Sequence, residues 1–146
     1  MKKAAVLSLI VIICLLGIIY WQFGQVNAKL VESKEIKKQQ GNFILHMRVD
    51  ETDNGIQVLR SLQYVGEDTI EIDHQTPLIS VSISNENHDF TGSLVTKTMN
   101  SGNIYPQEKL LFEAPDEGEC NLYVQARFNA DGKEVLIDHI EKLLFK

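Results

Sequence analysis

The sequence predicts an all-β protein: an antiparallel β-sandwich of seven to eight strands, preceded by an N-terminal hydrophobic signal or anchor helix. Three observations predict this class. After residue 40, apolar residues recur at every second position in segment after segment, which is the period of a half-buried strand. Turn residues separate these segments. No segment of this region has a helical period of useful length, so a sandwich of short strands is favoured over a mixed fold.

The beginning of the chain predicts export. Lys2 and Lys3 precede eighteen uncharged residues, 4–21, and a basic start before an apolar run is typical of a secretion signal. The run is long enough to span a bilayer as a helix, whereas Val26-Asn27-Ala28 has the spacing that signal peptidase accepts. Residues 1–28 are therefore a signal peptide cleaved after Ala28 or an N-terminal membrane anchor. In both cases the two lysines stay on the cytoplasmic side of the membrane, so the rest of the chain lies on the other side. We therefore expect an extracytoplasmic protein that is secreted or held by a single-pass anchor.

Charge and cysteine content narrow the class of partner. Residues 29–146 carry 12 basic and 20 acidic side chains, a net charge of −8. Such a surface repels nucleic acid and anionic lipid headgroups. These 118 residues make one domain of ordinary size, and Cys120 is their only cysteine, so an internal disulfide is excluded.

Residues 29–40 differ from the rest in being polar with only a thin apolar stripe. We expect them to form a polar stalk, helical or extended, between the leader and the domain. The alternative is a frayed start of the domain. The sandwich domain is then predicted to span residues 41–146.

Alternating apolar residues define the strands of this domain. Residues 78–84 show the pattern most clearly, because Ile79, Val81 and Ile83 alternate with serines. The last residues, 140–145, are expected to finish as strand. The predicted strands are 43–49, 56–64, 69–73, 78–84, 93–99, 109–114, 122–128 and 133–140.

The connections are predicted from turn chemistry. Asn54-Gly55 and Asp131-Gly132 each indicate a tight hairpin, because both turn positions favour positive φ. Gly66-Glu67-Asp68 turns the chain between the second and third strands. At Val58-Leu59 the alternation slips, which predicts a bulge or burial on both faces.

Two stretches resemble small bacterial immunoglobulin-like domains. Residues 104–112, with Pro115, Gly118 and residues 123–128, are similar to the second half of such domains, and residues 62–72 resemble their first hairpin. The set is similar to the family named for an intracellular proteinase inhibitor of bacilli. The resemblance implies an immunoglobulin-like sandwich and, by analogy, peptidase inhibition through an inserted loop. Gln107 stands where the family has glycine, so no functional residue is carried over.

Four histidines raise the question of a metal site: His46, His74, His88 and His139. Three of them neighbour an aspartate, but adjacent residues of a strand point to opposite faces and do not converge on one ion. His88 and Met99 have the spacing of half of a periplasmic copper-chaperone motif, whose second half is absent. We therefore expect solvated histidines on polar strand faces or in loops.

Other candidate groups also favour structural interpretations. Cys120 begins a strand between polar residues that would not activate its thiol, so we expect a small core residue. Ser80, Ser82 and Ser84 lack a nucleophile elbow and are expected to be solvated. Four carboxylates have no calcium-loop spacing and are expected in solvent: Glu67, Asp68, Glu71 and Asp73.

These observations predict a non-catalytic extracytoplasmic protein-binding or structural module at the bacterial cell envelope. We expect no catalytic residue, no cofactor and no metal site. The partner is expected to be another envelope protein, with the membrane contacted through residues 1–28 if they are not cleaved, and no nucleic acid. The alternatives are a copper-binding envelope protein that uses the histidines with Met47 or Met99, and a peptidase inhibitor by family analogy.

Overall fold

The structure, a computed structural model, describes residues 13–18 and 28–146. Residues 13–18 are helical. None of the helical segments in the described ranges is long and apolar enough to cross a membrane. The leader predicted for residues 1–28 otherwise lies outside the described residues.

Ten strands make up residues 28–146. They are β1 (Lys34–Gln40), β2 (Phe43–Thr52), β3 (Gly55–Tyr64), β4 (Ile70–Gln75), β5 (Ile79–Ile83), β6 (Leu94–Met99), β7 (Ile104–Pro106), β8 (Leu110–Glu113), β9 (Gly118–Ala130) and β10 (Lys133–Phe145).

The strands form two antiparallel sheets. In sheet I the order is β1-β2-β3, and β7 and β8 follow each other along the far edge of β3. In sheet II β10 pairs with β9, β4 and β5 follow each other along β9, and β6 lies beyond β4. One strand position in each sheet is therefore shared by two short strands.

The core lies between the two sheets. Its fully buried side chains come from both sheets, for example Val58 and Leu62 from sheet I and Ile72 and Leu122 from sheet II. The Phe43 ring of β2 meets the ring of Phe128 of β9 edge to face, with centroids 4.7 Å apart. Burial of this apolar surface is the main stabilising contribution to such a fold, at about 25 cal/mol per Å².

The predicted all-β, antiparallel class is confirmed, and all eight predicted strands are present with shifted ends. The predicted count of seven to eight is too low, because residues 34–40 and 104–106 also form strands. The hairpin at Asp131-Gly132 is also confirmed, with φ of 49° and 73° at the two residues. At Asn54 the hairpin forms, but its turn differs from the prediction. Thr52 pairs with Gly55, so Gly55 already belongs to β3.

The prediction of a polar stalk at residues 29–40 is wrong. Residues 34–40 form β1 and pair with β2 along their whole length, and Ile36 is buried in the core. Leu30 is buried as well and bridges to Phe145 at the end of β10. An edge strand buries one face and leaves the other in water, so its sequence is mostly polar. The domain therefore starts near residue 29 and not at residue 41.

Two further expectations fail. The β2–β3 register is continuous, with Val49 opposite Val58 and Arg48 opposite Leu59, so no bulge interrupts it. The slip in the pattern arises because Leu59 faces outward and Arg60 inward. Residues 62–72 are not a hairpin, because β3 belongs to sheet I and β4 to sheet II. They form a crossover between the sheets.

Candidate functional site

The histidines that the alternative copper hypothesis would use lie apart, each with its own partner. His46 Nε2 lies 2.8 Å from Gln63 Oε1 on the outer face of sheet I. His88 Nδ1 lies 3.2 Å from Ser80 Oγ under the loop after β5. Within residues 13–18 and 28–146, no three His, Cys, Asp or Glu side chains form a group that could hold a metal ion.

The fourth histidine and the methionines do not build a site either. His139 Nε2 lies 3.0 Å from Glu141 Oε2, two residues along β10. Met47 and Met99, the candidate thioether ligands, are both buried in the core. The geometry therefore offers the copper hypothesis no convergent set of ligands among the described residues.

His74 contradicts the expectation of a solvated histidine. It is only 3% exposed and lies on the inner face of β4. Its Nδ1 is 2.9 Å from the carbonyl oxygen of Gln75. A carbonyl can only accept, so Nδ1 donates this hydrogen bond, and Nε2 lies 3.2 Å from the Tyr105 hydroxyl. Lys97 Nζ lies 5.3 Å from the centre of the Tyr105 ring. The group links the two sheets.

The candidate nucleophiles are occupied or shielded. Ser80, expected in solvent, is buried because the loop of residues 84–93 brings His88 against it, so that expectation is wrong. Ser82 Oγ accepts from the backbone nitrogen of Asn87 at 3.1 Å. Cys120 is half-buried against the core, as predicted, and burial raises the pKa of its thiol. The neutral thiol that results is a poor nucleophile.

The four carboxylates that were considered for calcium and expected in solvent do not form a group that could hold a metal ion. Glu67, Asp68 and Glu71 are exposed, as expected. Asp73 is half-buried and accepts a hydrogen bond from the Thr96 hydroxyl on the neighbouring strand.

Arg60 is the functional candidate that the sequence prediction missed. It occupies an inward position of β3 between Val58 and Leu62, and it is only 7% exposed. Its Nη1 donates to the backbone carbonyl of Glu108 at 3.0 Å, whereas Nε is buried without a hydrogen-bond partner among the described residues. Burial lowers the pKa of the guanidinium, and the nearby Glu108 carboxylate acts in the opposite direction. The sequence signal that could have identified it is a charged residue among the otherwise apolar inward positions of β3.

The break between β7 and β8 makes room for this arginine. β7 pairs with β3 up to Pro106 and β8 resumes at Leu110. Between them the Gln107 backbone nitrogen donates to the carbonyl of Arg60 at 3.0 Å. A cavity of about 510 Å³ opens beside Arg60, between β8 and the loop of residues 84–93. Its lining includes Thr76, Asp89, Thr91 and Leu110.

A second concavity lies on the outer face of sheet I. We call it the sheet I dish; its volume is about 480 Å³, and it crosses β1, β2, β3 and β7. Its outward apolar side chains are Leu59, which is 40% exposed, Ile104, which is 57% exposed, and Pro106. The exposed Leu111 of β8 extends this apolar strip along the same face. Arg60 lies between the dish and the interior cavity and lines both.

Charged side chains flank the apolar strip of the dish. The register places Glu35 opposite Arg48 and Lys37 opposite His46. Arg48 Nε also donates to Asp50 Oδ1 at 2.9 Å, and this hydrogen bond is the main reason that the pKa of Asp50 is lowered. Lys37 is exposed and forms no ion pair among the described residues. It gives this side of the dish an available positive charge on a domain that is acidic overall.

Comparisons with known proteins do not assign a family. No protein-family model and no curated protein matches the chain. Among solved structures, the chain is similar to the GAE domain of GGA2p from Saccharomyces cerevisiae, with a TM-score of 0.44 and 8% sequence identity over 76% of this chain and 96% of that one. The antiparallel two-sheet architecture is defined by this chain's own strand pairing.

Proposed function

We propose that the chain is a non-catalytic protein-binding module at the bacterial cell envelope, and that it binds its partner through the sheet I dish. The domain is an immunoglobulin-like sandwich, and residues 1–28 direct it out of the cytoplasm as a signal peptide or anchor. The observation that carries the proposal is the dish itself. It combines a concave surface with exposed apolar side chains on the outer face of a sheet.

The strip of Leu59, Ile104 and Leu111 supports protein binding on energetic grounds. Exposed apolar side chains that lie together on one face mark interaction surfaces more often than single exposed ones do. Each side chain of this size gains about 1.5–3 kcal/mol when it is fully removed from water. Apolar anchors at the centre of an interface commonly supply most of its affinity.

The charges around the dish support a partner with an acidic residue at its contact surface. Lys37 forms no ion pair with any residue that the structure describes, whereas Arg48 is paired with Asp50 and lies near Glu35. The partner is therefore an envelope protein that inserts an apolar side chain over Leu59 and Ile104 and carries an acidic residue beside Lys37. Charge complementarity of this kind sets orientation and association rate more than affinity.

The hydrogen bonds of the candidate groups support a non-catalytic role. Ser80, Ser82 and His74 are held in structural contacts, and the pKa of Cys120 is raised. A nucleophile, a base that activates it and an oxyanion site are the minimum set for covalent hydrolysis.

Photo-crosslinking in living cells tests the dish. A photoreactive amino acid replaces Ile104 or, as a matched control, Ile140, which is 58% exposed on the outer face of sheet II. We expect one discrete adduct with an envelope protein from position 104 and none from position 140. Leu59→Asp should remove the adduct, and Lys37→Glu should weaken it. Equal adducts from both positions, or an adduct that survives Leu59→Asp, would refute the dish as the binding surface.

A fusion reports the topology separately. Alkaline phosphatase is active only after export, so its fusion behind Lys146 should be active in cells. Deletion of residues 4–21 should abolish this activity. An intact but inactive fusion would contradict the envelope location, whatever the crosslinking result.

A further inference from the structure

We propose that the cavity beside Arg60 is a binding site for a carboxylate group, which is held by the Arg60 guanidinium. The proposal does not depend on protein binding at the sheet I dish. It rests on two observations: a cavity of about 510 Å³ that Arg60 lines, and the burial of Arg60, which is only 7% exposed and whose Nε has no hydrogen-bond partner among the described residues.

The donor pattern of Arg60 selects the ligand group. Nη1, on the side of Cδ, donates to the Glu108 carbonyl. The remaining pair, Nε–H and Nη2–H, are parallel donors on the other side of the planar guanidinium. This fork matches the two oxygens of a carboxylate. A buried donor without a partner is costly, and a bidentate carboxylate would remove that cost.

The rest of the cavity favours a carboxylate over a phosphate dianion. Asp89 contributes a negative charge to the lining, and its Oδ1 is held by the backbone nitrogen of Thr91 at 3.0 Å and by the Thr91 hydroxyl at 2.6 Å. The Glu108 carboxylate lies near enough to act on the Arg60 charge. A singly charged ligand meets less repulsion from these two groups than a dianion does.

The cavity also fits a ligand with an apolar part. Its volume lies within the range of small-molecule sites. Pro77 and Leu110 line it together with the hydroxyl-bearing Thr76 and Thr91. The ligand class is therefore a small organic acid, or the carboxyl end of a peptide, with an apolar side chain next to the carboxylate.

Titration calorimetry of the full chain in a non-ionic detergent tests the proposal. The probes are N-acetyl-leucine, its neutral primary amide, the peptide Ala-Ala-Leu, and inorganic phosphate. We expect N-acetyl-leucine to bind at least about tenfold more tightly than the amide, because only the acid completes the arginine fork. Binding of Ala-Ala-Leu as well would assign peptide carboxyl ends, and binding of the small acid alone would assign organic acids. Both outcomes support the site.

Variants identify the residue responsible. Arg60→Lys keeps the charge but removes the fork, and it should lower the affinity about tenfold or more. Arg127→Met is the control, because Arg127 is exposed and pairs with Glu134; it should leave binding unchanged. Glu108→Gln alters only an exposed side chain and should strengthen binding several-fold by removing a competing charge.

Three results would overturn the assignment. The first is equal affinity for N-acetyl-leucine and its amide, and the second is binding of phosphate but not of N-acetyl-leucine. The third is unchanged affinity in both Glu108→Gln and a folded Arg60→Lys variant. Failure to detect any probe at millimolar concentration would also overturn it.

Discussion

Replacement of Gly55 by alanine should displace β8 from sheet I. Gly55 is the first residue of β3 and lies opposite Glu113 of β8. A Cβ at this position would come within 2.0 Å of the Phe112 carbonyl oxygen, 2.7 Å of the Ala114 nitrogen and 2.8 Å of the Glu113 carbonyl carbon. All three are backbone atoms, and real Cβ atoms essentially never approach a heavy atom closer than 3.0 Å. The strand must therefore move.

The cost follows from what β8 contributes. A shift of about 1 Å would relieve the contact with Phe112, and it would disturb the pairing of residues 110–113 with β3. Leu110 and Phe112 pack against the core and would withdraw with the strand. Overpacking of this kind costs about 3 kcal/mol. For a domain of this size that corresponds to roughly 10 °C in melting temperature.

Gly41→Ala is the matched control. Gly41 has a φ of 56° in the β1–β2 turn, but a Cβ there would meet nothing within 4 Å. Only the left-handed backbone is penalised, by about 1 kcal/mol. Urea denaturation of the full chain in detergent, followed by far-UV circular dichroism, measures both variants. The reasoning is refuted if Gly55→Ala is no more destabilising than Gly41→Ala.

Three further predictions concern the interior, the edge and the thiol. His74→Ala should cost about 2–3 kcal/mol in unfolding free energy, because it leaves buried partners unpaired, whereas His46→Ala should stay within about 0.5 kcal/mol; equal effects would mean that His74 is not a buried link. Ile36→Ala should lower the free energy of unfolding by about 2 kcal/mol, and Lys38→Ala should leave it almost unchanged. No loss of stability in Ile36→Ala would support the stalk instead of an edge strand. Burial raises the pKa of Cys120, so its stabilising contribution is complete below the unfolded thiol's pKa, about 8.5, and declines at higher pH. In Cys120→Ala this loss of stability should be smaller, and an unchanged pH profile would contradict it.

Local patterns were sufficient for most of the fold. The eight predicted strands lie where period-two alternation coincides with turn residues, because one face of each strand is buried and the other is solvated. β1 was missed for the same reason. Only Ile36 of its residues is buried in the core, so the alternation is too thin to see. The Gly41-Asn42 pair, a hairpin signal, was the available clue.

Pairing between distant segments could not be predicted in the same way. The turn at residues 66–68 has the composition of a hairpin, but it carries the chain from sheet I to sheet II. Turn composition specifies a change of direction and not the sheet that the next strand joins. His74 was misplaced for a related reason. Its partner Tyr105 is 31 residues away in the sequence. Without knowledge of that partner, a polar residue is expected to be exposed to solvent.

Arg60 connects the sequence pattern with the proposed chemistry. The row of Ile56, Val58, Leu62 and Tyr64 is buried on both sides of it, so an apolar residue at position 60 would satisfy the fold. A guanidinium there must be desolvated, which is unfavourable unless a partner is supplied. The described residues supply one carbonyl and leave Nε without a partner, and Arg60 lines a cavity. Deviations of this kind from an otherwise consistent pattern are expected at functional sites, and a carboxylate ligand would complete the arginine's hydrogen bonds.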